Sequence, residues 1–367
     1  MRKISQYIAM CVMSLLSFAN CDVHEFPEVR DELIPFELHL NFDTEMPFHK
    51  EIPYTRNGNG STKAPLLLHD FRYVVNAYRT DNVVGENRVA DTTFIFTRAD
   101  YEELNYTVLL GLREGSYDLR VWCDYVDGGS TEDKYYDTSD FSYITLASKE
   151  NHSGSNDFRD AFRGSTSVTV TDPTGYGCAT ASAIKNSATI EMKRPLGKFE
   201  FISTDVEAFL MRVIQTMKEQ GLLMVPSDNI SFEQIIQSIN LDDFDVEFCY
   251  DIFMPCAFNL FTDKVASSWY KTTFKSKMQR ANDREMSLGS DLVFVNTTGT
   301  ELSLSVAVYN KQGEQMSQSR PINVPIMRSM LTTVKGEFLT SKATGGVTIN
   351  PGYDGPDYNI PISYYFK

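Results

Sequence analysis

Apolar and polar side chains alternate in short runs from one end of this chain to the other. The tightest run is Leu302, Leu304, Val306 and Val308, separated by Ser303, Ser305 and Ala307. Phe36-Glu37-Leu38-His39-Leu40-Asn41-Phe42 repeats the pattern near the start. A period of two puts the apolar side chains of an extended chain on one face, so each run predicts a half-buried β-strand. Further strands are expected at 73–78, 93–96, 106–110, 117–125, 188–192 and 198–202. A turn follows at Lys311-Gln312-Gly313-Glu314, and Pro321–Ile326 and Met330–Leu339 supply two more strands. Many short strands separated by turns point to β-sandwiches. In 117–125, Tyr117, Leu119, Val121 and Cys123 share one face, while Asp118, Arg120, Trp122 and Asp124 share the other. Cys123 thus reads as a small core residue.

One segment has a different period. Thr204-Asp205-Val206-Glu207 has the form of a capping box, and Phe209, Leu210, Val213, Ile214 and Met217 follow at helical spacing. Gly221 is the expected stop, and Ser231–Ile239 reads as a second, shorter helix. The fold class is therefore all-β with a small helical insertion, as two tandem β-sandwich domains. A length of 367 residues fits two domains. The boundaries read as a signal segment 1–20, an acidic tether 21–35, an N-terminal sandwich 36–170, a linker 171–187, and a C-terminal sandwich 188–367 with its helical insertion at 204–240.

At the N-terminus, Arg2 and Lys3 precede a charge-free, mostly apolar run from Ile8 to Ala19. A membrane-spanning helix needs about 20 such residues. A positive start, a short apolar core and a small-residue exit are the marks of a signal peptide. The exit, Leu16-Ser17-Phe18-Ala19-Asn20-Cys21, resembles a lipoprotein lipobox, although Phe18 and Asn20 depart from its usual small residues. It makes Cys21 the expected lipidation site. The following stretch, with Asp22, Glu25, Glu28, Asp31 and Glu32 beside Pro27 and Pro35, reads as a flexible tether. It also resembles the acidic stretch that sends some Bacteroidota lipoproteins to the cell surface. A lipid anchor of this kind attaches a chain to a membrane without spanning it.

The formal net charge is −15, and removal of residues 1–20, which carry two basic and no acidic side chains, takes it to −17. Such a surface repels nucleic acid and anionic headgroups. Six cysteines are present, none in a C-x-x-C pair, and the five histidines between His24 and His152 lack metal-ligand spacing. No nucleotide-binding glycine motif and no G-x-S-x-G occurs. No metal, no cofactor and no catalytic residue is expected, and the chain reads as a protein that is not an enzyme. Cys249 falls on the face opposite Val246, Phe248, Tyr250, Ile252 and Met254, and Pro255 is expected to end that strand before Cys256.

Several segments resemble the fimbrillin-type lipoproteins of Bacteroidota. They are Glu191–Phe201, the proline-broken run Tyr250–Asp263, Gly336–Thr340 with Gly345–Gly355, and Asp157–Gly164. The resemblance implies two transthyretin-like or immunoglobulin-like sandwiches behind a lipobox, in a fimbrial subunit or anchor at the outer membrane. It also implies assembly with other fimbrial subunits by strand addition, in which one chain's terminal strand completes another's sheet. The matching donor is the tail, where Tyr358, Ile360, Ile362, Tyr364 and Phe366 share a face. The same strand could equally close its own domain, at an edge, because Pro361 has no N–H to give a ladder. Stalk-type members lose an N-terminal strand by cleavage after an arginine. Arg56, within Tyr54-Thr55-Arg56-Asn57-Gly58-Asn59-Gly60, is the candidate processing site, or else a plain loop arginine. Asp91-Thr92-Thr93 resembles an O-glycosylation acceptor of the phylum.

Other readings stay open. A surface lipoprotein that binds a glycan or host ligand would use aromatic residues such as Trp122, Trp269 or some of the 19 tyrosines, which in sandwiches also serve as core. A hydrolase would need two of the 49 carboxylates in one cleft. Asp124, Asp127, Glu132 and Asp133 could hold calcium or form a solvated loop, and their spacing lacks the order of a calcium-binding hand.

Overall fold

The computed structural model describes residues 33–42, 69–80, 89–99, 105–172, 186–221, 239–282 and 284–340, and the backbone of two strands at 345–351 and 358–361. Nine strands come first: β1 (Ile34–Phe42), β2 (His69–Arg79), β3 (Thr92–Arg98), β4 (Tyr106–Leu112), β5 (Gly115–Asp127), β6 (Tyr136–Asp137), β7 (Ile144–Leu146), β8 (Ala161–Val170) and β9 (Ser187–Met192). After β10 (Leu196–Ser203) comes the helix α1 (Val206–Glu219). The rest is again strand: β11 (Asp245–Asn259), β12 (Lys264–Lys277), β13 (Gln279–Arg280), β14 (Met286–Phe294), β15 (Thr300–Tyr309), β16 (Gln315–Gln318), β17 (Ile322–Ile326), β18 (Met330–Gly336), β19 (Gly345–Pro351) and β20 (Tyr358–Pro361).

These strands make two sandwiches. The first packs the sheet β4-β1-β9 on the sheet β3-β2-β5-β8. Its core takes one face of every strand: Phe36, Leu38 and Leu40 from β1, Phe71 and Tyr73 from β2, and Leu119, Val121 and Cys123 from β5. Burying each large apolar side chain is worth about 1.5–3 kcal/mol, so the alternation itself selects the face. The second sandwich packs β13-β14-β10-β18-β19-β20 on a sheet built around β11, which pairs with β12, β15 and β7. The opening strand is central in both. β1 runs antiparallel to β4 and parallel to β9, and β10 runs antiparallel to β14 and parallel to β18.

The division between the sandwiches differs from the one expected from sequence. Most of 171–187 lies outside the described residues, and the strand after it, β9, completes the first sandwich beside β1. Conversely β6 and β7 leave the first half of the chain and join the second sandwich, β7 pairing with Ala257 and Phe258 of β11. The physical reason lies in the second face of β2 and β5. Trp122, Val74 and Tyr78, on the face turned away from the first core, are buried in the core of the second sandwich. Trp122 meets Tyr136 and Phe294 with ring centroids 5.3 and 6.4 Å away. The face that carries Asp118, Arg120 and Asp124 is thus a seam and not a solvent surface. Its charges are paired there: Arg72 Nε and Nη2 donate to the two oxygens of Asp124 at 2.9 and 2.8 Å.

Helix α1 forms where the helical spacing predicts, with Val206, Phe209, Leu210, Val213 and Ile214 buried and Phe209 against Phe244. Its cap is different. Asp205, not Thr204, is the first non-helical residue, and its carboxylate makes no bond to the helix. Gly221 follows the helix at φ +71°, the left-handed conformation that ends helices. The expected helix at 231–239 lies almost wholly outside the described residues.

Pro255 does not end its strand. β11 continues through it to Asn259, and Cys256 is buried. Between its pairings with β15 over 245–250 and with β7 over 257–258, β11 has a described partner on one side only, so a missing N–H is tolerated there. Cys123, Cys249 and Cys256 are free thiols.

Candidate functional site

The region that bears most on assembly is the C-terminal edge of the second sandwich. β18 pairs antiparallel with β19 along its whole length, and β20 pairs antiparallel with β19, Val347 facing Ile360 and Ile349 facing Tyr358. β20 is the outermost strand of that sheet. Of the expected donor face, Tyr358 and Ile360 lie on β20, while Ile362, Tyr364 and Phe366 lie outside the described residues. Pro361 sits at the strand's last position, opposite Gly346, where a residue without an N–H does least harm.

A clamp holds the chain just before this hairpin. Asp205 accepts hydrogen bonds from the Thr340 N–H at 2.7 Å, the Thr340 hydroxyl at 2.6 Å, the Leu339 N–H at 3.3 Å and the Ser203 hydroxyl at 2.6 Å. The Ser203 oxygen in turn accepts from the Phe338 N–H at 3.2 Å. Phe338 and Leu339 are buried beneath. The segment 338–340 is therefore fixed to the start of α1 independently of β19 and β20. The Thr204-x-x-Glu207 spacing points to a capping box, whereas in the structure Asp205 clamps residues 339 and 340. The available signal was Asp205 itself, a carboxylate at a helix start with a second possible use.

The remaining candidates separate plainly. Cys21 and Arg56 lie outside the described residues. Of the acidic residues near 124–133, Asp124 and Asp133 pair with Arg72, and Asp127 with Lys134. Asp133 also accepts from the Thr138 hydroxyl. Among the described residues no group of three or more His, Cys, Asp or Glu could hold a metal ion, and no helix is long and apolar enough to cross a membrane. Trp122 is core, and Trp269 is partly buried against the second core. Asp91 and Thr92 lie at the start of β3, with the Thr92 hydroxyl donating to Asp91 at 3.3 Å.

A buried polar cluster sits where the return segment between β7 and β8 crosses the seam. His152 Nε2 lies 2.7 Å from one oxygen of Asp291, and the Tyr250 hydroxyl donates to the same oxygen at 2.6 Å. Arg159 pairs with the other oxygen and donates to the Leu292 carbonyl at 3.2 Å. Burial pushes the Asp291 carboxyl up, but the charges of Arg159 and His152 and the hydrogen bonds outweigh it and hold it below the usual carboxylate range. His152, Tyr250, Arg159 and Asp291 are paired with one another, so the cluster reads as a brace.

Several solved structures are similar to this chain. A protein of Bacteroides thetaiotaomicron proposed to be an adhesin is 12% identical, with 89% of this chain and 97% of that one covered and a TM-score of 0.43. The fimbrial anchor protein Mfa2 of Porphyromonas gingivalis is 10% identical, covering 89% and 99%, with a TM-score of 0.42. A second Bacteroides thetaiotaomicron protein, proposed to bind polysaccharide, is 9% identical, covering 89% and 98%, with a TM-score of 0.47. No curated protein sequence matches. A family model does, over residues 34–363, and by that match the chain belongs to DUF6562, described as a family of unknown function.

Proposed function

We propose that this is a lipid-anchored structural protein of the cell surface, a fimbrial subunit or anchor that assembles by strand addition, and not an enzyme. The observation that carries this reading is the terminal hairpin. An outermost strand is paired on one side only, so exchanging it breaks a single ladder. The Asp205 clamp holds residues 338–340 separately, so release of the strands beyond them need not unzip β18. The signal-like N-terminus ending at Cys21, the acidic tether and the fimbrillin-like segments support an outer-membrane anchor. A chain still tethered through Cys21 suits an anchor or terminal subunit better than a repeating stalk unit, which must be freed from its lipid, for example by cleavage at Arg56.

Deletion of residues 357–367 tests the reading. The truncated protein is expected to stay folded and to lose its place in high-mass assemblies from outer membranes. A lower melting temperature with unchanged assembly size would assign the strand to its own sheet and overturn the donor role. Mass spectrometry of the mature N-terminus is expected to find acylated Cys21, and an unmodified peptide reading through Asn20-Cys21 would remove the anchor.

A further inference from the structure

The β11–β12 hairpin breaks its register once in a way that turns large apolar rings outward. Tyr250 pairs with Thr272, and the next pair is Phe253 with Tyr270, so Asp251 and Ile252 stand opposite the single residue Lys271. Lys271 is held at φ +47°, a left-handed conformation that non-glycine residues adopt rarely. Ile252, Phe253 and Tyr270 are 48%, 58% and 58% exposed, while Tyr250 and Met254 on either side are fully buried. The rings of Phe253 and Tyr270 lie side by side across the strands, centroids 6.1 Å apart and planes at 60°. Strained backbone that presents such rings to water is a pointer to a site.

Two cations flank the pair. Lys271 Nζ is 5.6 Å from the Tyr270 ring centroid, and Lys149 Nζ donates to the Tyr270 carbonyl at 2.9 Å. An ammonium has three N–H donors, so Lys149 keeps others to offer. The Asp251 carboxylate accepts from the Ser305 hydroxyl at 2.9 Å. An added protein strand is a poor fit for the free edge of β12. Lys149 already takes the Tyr270 carbonyl, the bulge breaks the ladder, and Ser155 covers Ser276 with hydroxyl oxygens 2.7 Å apart.

We propose that Phe253 and Tyr270 form a stacking platform for a carboxylate-bearing sugar, a uronic acid unit of an acidic glycan, with Lys149 and Lys271 receiving its carboxylate. Rings supply the apolar contact for the C–H face of a pyranose, and convergent polar groups fix its orientation. The charge complementarity selects the acid over a neutral sugar. This site is independent of strand addition and goes beyond the assembly role.

The test uses the full mature chain as a monomer and titrates it calorimetrically with trigalacturonate and with its methyl ester. Trigalacturonate is expected to bind, more weakly as salt is raised, and Tyr270→Ala is expected to weaken it about tenfold, ~1.4 kcal/mol. Tyr270→Phe should keep the affinity. Replacing both Lys149 and Lys271 by Ala should remove the preference for acid over ester. Melting curves establish that each variant is folded, and Phe253→Ala stands in if Tyr270→Ala is not. Absence of binding, equal affinity for acid and ester, or affinity unmoved by Tyr270→Ala and Phe253→Ala would each overturn the proposal. So would self-association without sugar that Tyr270→Ala abolishes, which would assign the rings to a second copy of the chain.

Discussion

Two long antiparallel strand pairs organise this molecule, and they are built on opposite terms. β2 and β5 pair from His69–Asp127 to Arg79–Tyr117 without a register shift. β11 and β12 shift register three times between Asp245–Lys277 and Asn259–Lys264. The regular pair is covered on both faces, by its own sandwich on one side and by the second sandwich on the other. A slip of one residue there would exchange the two faces, placing Arg72 and Asp124 in the aromatic core, so the register is strongly fixed. The shifted pair has solvent on part of one face, where a bulge costs less and can redirect side chains. Burial on both sides enforces regularity, and exposure permits the irregularity in which a binding surface can arise.

The largest expected effect breaks the regular pair at its centre. Trp122→Ala should cost ~3–5 kcal/mol by denaturant unfolding, because the ring fills the junction between two cores. Phe253→Ala on the shifted pair should cost less than about 1 kcal/mol, since its ring already meets water. Equal losses at the two positions would refute the contrast. Next in size, Arg72→Leu strands the buried Asp124 carboxylate and should cost about 3 kcal/mol.

A pH series sharpens the same contrast at the seam. Because the folded-state pKa of Asp291 is depressed, its contribution to stability is fully present above the unfolded carboxylate value of about 3.9. That contribution is lost as pH falls through the lower folded value. The stability gap between the native protein and Asp291→Asn should therefore be flat near neutrality and shrink only below about pH 4. A gap that grew on acidification would contradict the assignment.

The smallest effects concern the two cysteines of β11. Serine at the buried Cys256 should cost about 1–2 kcal/mol for an imperfectly satisfied hydroxyl. Serine at the half-buried Cys249 should fall within about 0.5 kcal/mol. Both are read from melting curves, and a reversed order would show that Pro255 redirects the strand otherwise than described.

Much of the fold was legible because alternation is a local property. Phe36 to Phe42, Leu302 to Val308 and the α1 residues Phe209 to Ile214 each declare a face through their own spacing. The register of β11 was not legible beyond Tyr250. Strict alternation would bury Ile252 on the face of Tyr250, and the bulge opposite Lys271 exposes it. The Asp205 clamp was equally hidden, since its partners lie more than 130 residues further on. Of the surface platform, the sequence offered only that aromatic residues are numerous.

By itself, then, the sequence determined the all-β class, the two sandwiches, the single amphipathic helix and the face each regular strand buries. Those follow from side-chain period, which acts within a few residues. Only the tertiary structure decided which sandwich each short strand joins, that β2 and β5 are buried twice, and where β11 breaks step. Those choices are set by the free energy of covering Trp122, Phe294 and the ion pairs of Asp124 and Asp291, and the groups that cover them come from distant parts of the chain.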